Sequence, residues 1–245
     1  PLKVWLKIDT GMHRLGFQPK DMQAICDCLK SQSGVAVRSV FSHLAGSDSS
    51  VFDDFTLKQI ETFQKAASQL EQGIEYPVLK HILNSAGIER FADYQMDMVR
   101  LGIGLYGVSA SGQKGLRNVN TLKTTILQIQ EVPAGDSIGY SRRSYVKRDS
   151  RIAIIPIGYA DGLDRHLGNG AGQVLINGKR CPTIGNICMD TCMIDVTGIE
   201  VNEGDTVIIF GDELPVSELS ETLGTISYEI LTSISPRVKR VYFRE

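Results

Sequence analysis

Residues 6–16 read LKIDTGMHRLG. They begin in an apolar, strand-like segment, and Gly11 indicates a turn after it. The turn presents Lys7 and Arg14 at the C-terminal end of a strand, which is the end at which barrel enzymes hold their sites. A capped loop with solvated charges fits the same residues. Taken alone, the stretch therefore leaves a functional and a purely structural interpretation open.

The first half of the chain alternates predicted strands with predicted helices. The strand-like segments are residues 2–8, 35–41, 79–83 and 98–105, and the segments with helical spacing are residues 21–31 and 55–72. This alternation predicts parallel strands joined by right-handed crossovers. Four such units make half of an eight-stranded barrel, which alone would expose two edges and its interior to water. We expect four further strands upstream in the intact protein; completion by a second copy of the chain is the alternative.

After residue 112 the pattern changes to short strands separated by turns. The predicted strands are residues 121–132, 151–157, 173–176, 192–196 and 206–210, followed by helices at 217–223 and 227–233 and a closing strand at 238–243. This spacing predicts an antiparallel β domain, either a small barrel or a sandwich. The predicted fold class is thus α/β plus all-β. The C-terminal half of a (β/α)8 TIM-type barrel covers residues 1–115, and a C-terminal β domain with short terminal helices covers residues 116–245.

Composition argues against several classes of function. A net charge of −2 gives no overall attraction to nucleic acid or anionic membranes, and no run of about 18 apolar residues predicts a membrane-spanning helix. The five cysteines are an odd number without a C-x-x-C pair, which indicates free thiols in a reducing cytoplasm. No histidine lies near Cys181, Cys188 and Cys192, so we expect no metal site.

Eight segments resemble, in the same order, the motifs of alanine racemases, enzymes of fold type III that depend on pyridoxal 5'-phosphate (PLP). They are residues 7–16, 42–43, 84–86, 99–107, 138–140, 158–162, 185–190 and 227–229. Residues 7–16 match K-x-D-T-G-M-x-R-x-G throughout, and residues 99–107 match V-R-P-G-I-x-x-Y-G except for Leu101 in place of proline. The resemblance covers essentially the whole chain.

The resemblance implies a homodimeric isomerase that interconverts L-alanine and D-alanine by two-base proton transfer on PLP. It assigns catalysis to Tyr140, His43 and Arg100. It assigns cofactor binding to Ser85, Arg100, Gly102, Ile103 and Tyr228, and substrate binding or entry to Arg14, Met189, Tyr159 and Arg165. Lys7 stands where the family often has a carbamylated lysine. D-Alanine made in the cytoplasm would supply peptidoglycan for the cell wall.

Elementary chemistry is compatible with the roles of Tyr140 and Arg100. A tyrosine with a pKa of about 10 is a poor base at neutral pH unless nearby positive charge lowers that pKa. Arg100 and His43 are implied to lie in that network. A guanidinium cannot accept a proton, so Arg100 opposite the pyridine nitrogen would keep that nitrogen unprotonated. The structural alternatives are an exposed turn tyrosine and an arginine held in an ion pair.

One element of the family pattern is missing. The lysine that anchors PLP and acts as the second base lies, in the family, in an A-V-V-K-A-N-A-Y-G-H-G context, and no lysine of this chain has those neighbours. The first residues, 1–8, also read as the middle of a buried strand. We therefore expect this chain to be the C-terminal two-thirds of the enzyme and inactive by itself.

Other interpretations remain open at this point. The chain could bind PLP without catalysis, or serve as a dimerisation scaffold. It could also belong to an amino-acid racemase of broader specificity, because the motifs do not separate alanine from serine. A decarboxylase of the same architecture is disfavoured, because fold-related decarboxylases place a carboxylate opposite the ring where this chain has Arg100. In the homodimer, the β domain of one subunit would close the active site of the other.

Overall fold

A computed structural model of the protein describes residues 1–113 and 115–242. The chain divides into two compact units, Pro1–Arg117 and Asn118–Glu245. Each unit has its own sheet, and the two are described separately below.

The first unit is built from strand–helix repeats around a parallel sheet. Its elements are β1 (Leu2–Lys7), α1 (Met22–Lys30), β2 (Val35–Phe41), α2 (Asp53–Ile74), β3 (Leu79–His81) and α3 (Ser85–Arg90). The strands pair in parallel in the order β1-β2-β3, and the sheet has the architecture of a half barrel. Parallel pairing requires each strand to return by a crossover, and α1 and α2 supply the two crossovers.

The two faces of this sheet differ in polarity. On one face Leu6 and Val40 are buried, and they belong to an apolar cluster that includes residues of α1 and α2. On the other face the register aligns Lys7, Phe41 and His81, the last residue of each strand. Polar groups therefore collect at the carboxyl ends of the strands, while the helices cover the apolar face.

The predicted fourth strand, residues 98–105, does not form. Residues near its start run beside β3: the Asp97 amide donates to the Lys80 carbonyl at 3.2 Å, and the Arg100 amide donates to the Leu83 carbonyl at 3.0 Å. At Gly102 the backbone leaves the extended region, with φ −107° and ψ −109°, and a 3₁₀ helix follows over Ile103–Tyr106. The glycines that the sequence pattern treated as part of a strand end it instead.

The second unit is an antiparallel sheet followed by two helices. Its elements are β4 (Leu122–Thr125), β5 (Gln128–Val132), β6 (Ser137–Ile138), β7 (Ser144–Tyr145), β8 (Ser150–Ile155), β9 (Gln173–Ile176), β10 (Lys179–Ile184), β11 (Cys192–Asp195), β12 (Thr206–Phe210), α4 (Val216–Leu223) and α5 (Ser227–Ser233). Strands β6 and β7 form a separate two-stranded hairpin. The seven main strands follow the order β4-β12-β9-β10-β11-β8-β5.

Chain connectivity makes this seven-stranded sheet curl. Strands β4 and β5 lie at its opposite edges, yet only Ile126 and Leu127 join them. Two linking residues span at most about 11 Å between flanking Cα atoms. The edges must therefore approach each other, which favours the small barrel over the sandwich. The single strand predicted at residues 121–132 was wrong because the chain passes from one edge to the other at residues 126–127.

The observed structure differs from the predicted one in two further places, at strand β10 and at the end of the chain. The sequence analysis did not predict β10, which contains Pro182, a residue that is unusual in a central strand. The strand tolerates Pro182 at the point where its partner changes from β9 to β11. The predicted closing strand, 238–243, is absent over residues 238–242, and residue 243 lies outside the described residues.

The five cysteines are free. Within the described residues, His, Cys, Asp and Glu side chains form no group of three or more arranged to hold a metal ion. No helix in that part of the chain is long and apolar enough to cross a membrane.

The core of the first unit depends on Phe63, which is fully buried in α2. We expect Phe63→Ala to lower the free energy of unfolding by about 3–5 kcal/mol, because the lost side chain leaves a cavity. The control Val51→Ala removes a side chain that is 83% exposed, and should change stability by less than about 0.5 kcal/mol. Urea unfolding of both variants tests this; equal effects would show that the helix does not pack as described.

Candidate active site

Arg100 lies at the centre of the polar strand ends of the first unit. Its Nη1 donates to His81 Nδ1 at 2.5 Å and to the His81 carbonyl at 3.3 Å. Its Nη2 donates to the carbonyls of Ser42 at 2.5 Å and Ile82 at 3.2 Å, and to His43 Nδ1 at 3.3 Å. The guanidinium also lies over the Phe41 ring, 5.2 Å from its centroid. Burial lowers the pKa of Arg100 from its usual value.

The bond from Arg100 fixes the tautomer of His81. Because a guanidinium only donates, His81 Nδ1 must be unprotonated, and its Nε2 carries the hydrogen that faces Ser39 Oγ at 2.6 Å. The His81 ring is fully buried, stacks on Phe41 with centroids 5.2 Å apart, and meets Trp5 edge to face at the same distance. Burial, reinforced by the Arg100 charge, lowers the pKa of His81 to about 4.

His43 follows β2 and is held neutral in the same way. Burial, together with the charges of Arg100, Arg14 and Lys7, lowers the pKa of His43 to about 4. The structure thus brings four of the residues assigned from sequence into one electrostatic cluster. At neutral pH both histidines beside Arg100 are uncharged, so the cluster carries its positive charge on the arginines and the lysine.

The loop after β1 places Lys7 and Arg14. Asp9 accepts the backbone amides of Gly11 and His13, both at 3.0 Å, and His13 Nδ1 at 3.1 Å. Burial opposes ionisation of Asp9, but the His13 and Gly11 amides outweigh it and lower the pKa of Asp9. For Lys7, burial and the charges of Arg14 and Arg100 outweigh Asp9, and the pKa of Lys7 is lowered.

Ser85 and the glycines after Arg100 form a small hydroxyl–amide cluster. The amides of Gly102 and Gly104 both donate to Ser85 Oγ, at 2.8 Å and 3.3 Å. Ser85 is buried, and Ile103 is buried between the two glycines. A Cβ added at residue 104 would lie 2.9 Å from Leu101 Cδ1, the end of a flexible side chain, and 3.6 Å from Ser85 Oγ, an ordinary contact distance.

In the second unit, Tyr140 stands at the tip of a strained loop. Its side chain is 70% exposed. Gly139, Ser141 and Arg142 all have positive φ, at 70°, 63° and 48°. Asn186 Nδ2 donates to the Tyr140 carbonyl at 2.9 Å, which joins this loop to the segment 185–190. Strained backbone that is held in place by its surroundings is common at functional sites.

Tyr159 and Met189 lie on two loops that are bonded to each other. The Tyr159 amide donates to the Cys188 carbonyl at 3.1 Å, and the Ala160 amide donates to the Met189 carbonyl at 3.0 Å. A Cβ at residue 158 would lie 2.3 Å from both carbonyl oxygens, so only glycine allows the loops to meet this closely.

Arg237 binds an aspartate on each of these two loops. Its Nε donates to Asp161 at 2.6 Å, and its Nη2 also binds Asp190. The Arg237 guanidinium lowers the pKa of the buried Asp161 carboxyl, whose other oxygen accepts the Gly158 amide at 2.9 Å.

Arg165 and Tyr159 line a cavity of about 590 Å³ in the second unit. Asp164, Thr225, Glu229 and Ile230 are among its other lining residues. Tyr228 lies on α5, directly before Glu229 and Ile230 in the chain, and is partly exposed.

Three residues of these clusters were missed by the sequence analysis: His81, Asp161 and Arg237. The first lies inside a predicted strand, where a lone histidine gives no signal. His81 ends β3 and lies in register with Lys7 and Phe41, an alignment that only the structure shows.

Comparison with known families finds one family that matches both units. Residues 1–110 match the alanine racemase N-terminal domain, and residues 119–242 match the alanine racemase C-terminal domain. This chain belongs to the alanine racemase family. It is 39% identical to the alanine racemase of Desulfovibrio desulfuricans over 98% of its length, and 40% identical to that of Helicobacter pylori over the same share. The matched parts make up 66% and 67% of those two proteins, so the chain spans about two thirds of their length.

Solved structures of alanine racemases have the same fold. The enzyme from Bacillus anthracis with bound L-Ala-P has a TM-score of 0.91 and 34% identity, covering 99% of this chain and 65% of that one. The enzyme from Bartonella henselae with covalently bound pyridoxal phosphate has a TM-score of 0.88 and 33% identity, covering 98% and 66%.

The neutral histidines predict how stability depends on pH. The folded state holds the pKa of His81 at about 4, while the unfolded chain binds a proton near pH 6.5. Between these values the unfolded state binds more protons, so stability falls as pH is lowered from 7 to 5. We expect His81→Gln to reduce this loss by about 1–2 kcal/mol, measured by urea unfolding at both pH values. An equal loss of stability between pH 7 and pH 5 in both proteins would show that His81 takes up a proton in the folded state over this range.

Proposed function

We propose that this protein provides the PLP-binding and substrate-binding parts of an alanine racemase, which interconverts L-alanine and D-alanine. One observation carries the proposal. The two terminal nitrogens of Arg100 donate to acceptors at the strand ends, and its Nε–H donates to none of the described residues. The arginine is thus fixed in place with one donor left for an acceptor such as a pyridine nitrogen.

The donor set fits PLP. Ser85 Oγ accepts the amides of Gly102 and Gly104, which leaves the hydrogen of this hydroxyl for an acceptor such as a phosphate oxygen. The hydroxyl of Tyr228 and the amide of Ile103 are the remaining proposed phosphate ligands. Arg100 lies only two residues before Gly102, so the same segment carries the proposed partners of the phosphate and of the ring.

The roles of the side chains follow from their chemistry. When bound, PLP supplies an electron sink for the negative charge that deprotonation leaves on the α-carbon. Arg100 would donate to the ring nitrogen, which must then keep its lone pair and stay unprotonated, because a guanidinium cannot accept a proton. The Tyr140 phenolate would take the α-proton of L-alanine and become the neutral phenol. His43, neutral beside Arg100, can accept a hydrogen bond without adding charge to the cluster.

Substrate recognition is proposed to use both charge and backbone. Arg14 would attract the alanine carboxylate, and the Met189 amide would bind it. Tyr159 and Arg165 would line the entry, which is consistent with their common cavity. Carbamylation of Lys7 belongs to this proposal, because the resulting anion would lie near the positive charges of Arg14 and Arg100.

We further propose that the 245 residues correspond to the C-terminal two-thirds of the enzyme and are inactive alone. Support comes from the missing lysine motif and from the two-thirds coverage of the relatives. Residues 1–115 would then be the C-terminal half of the barrel, and residues 116–245 the β domain. In a cytoplasmic homodimer, Tyr140 and Met189 would complete the site of the partner, and the D-alanine formed would enter peptidoglycan.

The first test is cofactor binding by the chain itself. We expect PLP to bind the 245-residue protein reversibly, with no adduct in the intact mass after borohydride reduction. Ser85→Ala should weaken PLP binding by about tenfold, because the hydroxyl is lost from the phosphate contacts. The control Ser33→Ala alters an exposed serine distant in sequence from these residues and should leave the affinity unchanged. A stoichiometric adduct on one lysine would instead reveal a substitute anchor.

The second test concerns Tyr140 in the full-length enzyme. We expect Tyr140→Phe to lower kcat for L-alanine by at least about 100-fold while PLP remains bound, because the phenolic oxygen that takes the proton is removed. The control Tyr145→Phe changes another exposed tyrosine of the same loop region. Turnover assays in the L-to-D direction with α-deuterated alanine measure the effect; unchanged turnover would remove Tyr140 from the mechanism.

A further inference from the structure

Glu89 occupies an unusual position on α3, four residues after Ser85. Its carboxylate accepts hydrogen bonds from the Ser109 hydroxyl at 2.7 Å and from the amides of Ala110 and Ser111, both at 3.1 Å. The Ser111 hydroxyl is a further donor. Four donors from three consecutive residues thus converge on one side chain.

The loop that supplies these donors is organised around Ser109. Besides donating to Glu89, Ser109 Oγ accepts the amides of Ser111 at 3.3 Å and Gln113 at 2.8 Å. Gln113 Nε2 donates to the Glu89 carbonyl at 3.1 Å. The loop is therefore shaped to surround an ionised carboxylate, which only accepts hydrogen bonds.

Glu89 is the second of two points that fasten this segment to α3. The first is Ser85 Oγ, which receives the Gly102 and Gly104 amides. Between the two points runs the 3₁₀ helix Ile103–Tyr106 and the turn at Gly107, whose φ is 77°. With both ends attached to one helix, the amides are held in a fixed direction relative to the Ser85 hydroxyl.

We propose that Glu89 is a positioning residue for the phosphate of the cofactor: it holds residues 102–104 against Ser85, whose hydroxyl accepts two of their amides and keeps its own hydrogen for the phosphate. The proposal rests on the function proposed above, and it assigns to Glu89 a role that does not involve contact with the cofactor. The hydrogen bonds from Ser111 and Ser109 outweigh burial and lower the pKa of Glu89, so the carboxylate is ionised throughout the working range of pH.

The test compares PLP with pyridoxal, which has the same ring but no phosphate. Glu89→Gln keeps the size of the side chain but replaces one acceptor oxygen by an NH₂ group, which cannot receive the loop donors. We expect the Kd of PLP to rise about tenfold and the Kd of pyridoxal to change less than about twofold. Ser85→Ala serves as the reference for direct loss of a phosphate contact. Glu61→Gln, an exposed glutamate paired with Lys65 on α2, is the matched control.

The outcomes separate this proposal from the function on which it rests. Selective loss of PLP affinity in both Glu89→Gln and Ser85→Ala, with unchanged far-UV circular dichroism, supports it. A selective effect in Ser85→Ala alone would overturn the role of Glu89 and leave the PLP site intact. No selective effect in either variant would overturn both. Equal weakening of PLP and pyridoxal by Glu89→Gln would mean a general loss of structure and would also overturn it.

A double-mutant cycle gives an independent check. If Glu89 acts through the loop, Ser109→Ala should weaken PLP binding in the wild-type chain but have little further effect in the Glu89→Gln background. Additive effects of the two substitutions would show that Ser109 and Glu89 act separately, which contradicts the proposal.

Discussion

The guanidinium of Arg100 donates to three carbonyl groups at the ends of β2 and β3, one of which, that of His81, also accepts the Ser42 amide. The carbonyls of Ser42, His81 and Ile82 all receive its hydrogen bonds. Buried carbonyls need such partners, and a planar group with five donors can serve several at once. The same contacts fix the direction of Arg100, so the requirement of the fold and the requirement of the site are met by one side chain.

The positive charge of this cluster determines the state of its histidines. Burial and Arg100 together hold the pKa of both His43 and His81 at about 4. A protonated imidazole could not accept the Arg100 hydrogen bond, so neutrality and geometry depend on each other. Asp9 is committed to its own turn through the amides of Gly11 and His13. The region thus stays cationic, which suits a cofactor phosphate and a substrate carboxylate.

The sequence predicted the elements better than the connections between them. Periodicity placed α1, α2, β2 and β9 within about two residues, because one face of each packs against a core. The segment at 98–105 failed because two glycines turn the chain. The key polar contacts gave no local signal: His81 meets Arg100 across 19 residues, and Arg237 meets Asp161 across 76. Glu89 and its serines are 20–22 residues apart, in parts of the chain for which the sequence analysis predicted neither a helix nor a strand.

Family motifs recovered what periodicity could not, but only for residues within the motifs. The motifs assigned Ser85 and Gly102 to the same phosphate site, and in the structure the Gly102 amide donates to Ser85 Oγ. The motifs gave no reason for the distance between Ser85 and Glu89. That distance is one helical turn, which points both side chains toward the same neighbouring segment.

The two units fix their functional groups by different physical means. In the first unit, single charged side chains make many bonds: Arg100 donates to several carbonyls, and Glu89 accepts from amides and hydroxyls, so a substitution at either removes several bonds at once. In the second unit, the contacts join backbone groups. The loops of Tyr159 and Met189 are held together by amide–carbonyl hydrogen bonds, which most side-chain substitutions do not remove. There the sensitive residue is Gly158, because any side chain would separate the loops by colliding with the carbonyls of residues 188 and 189. Loss of charge should therefore damage the first unit, and gain of bulk the second.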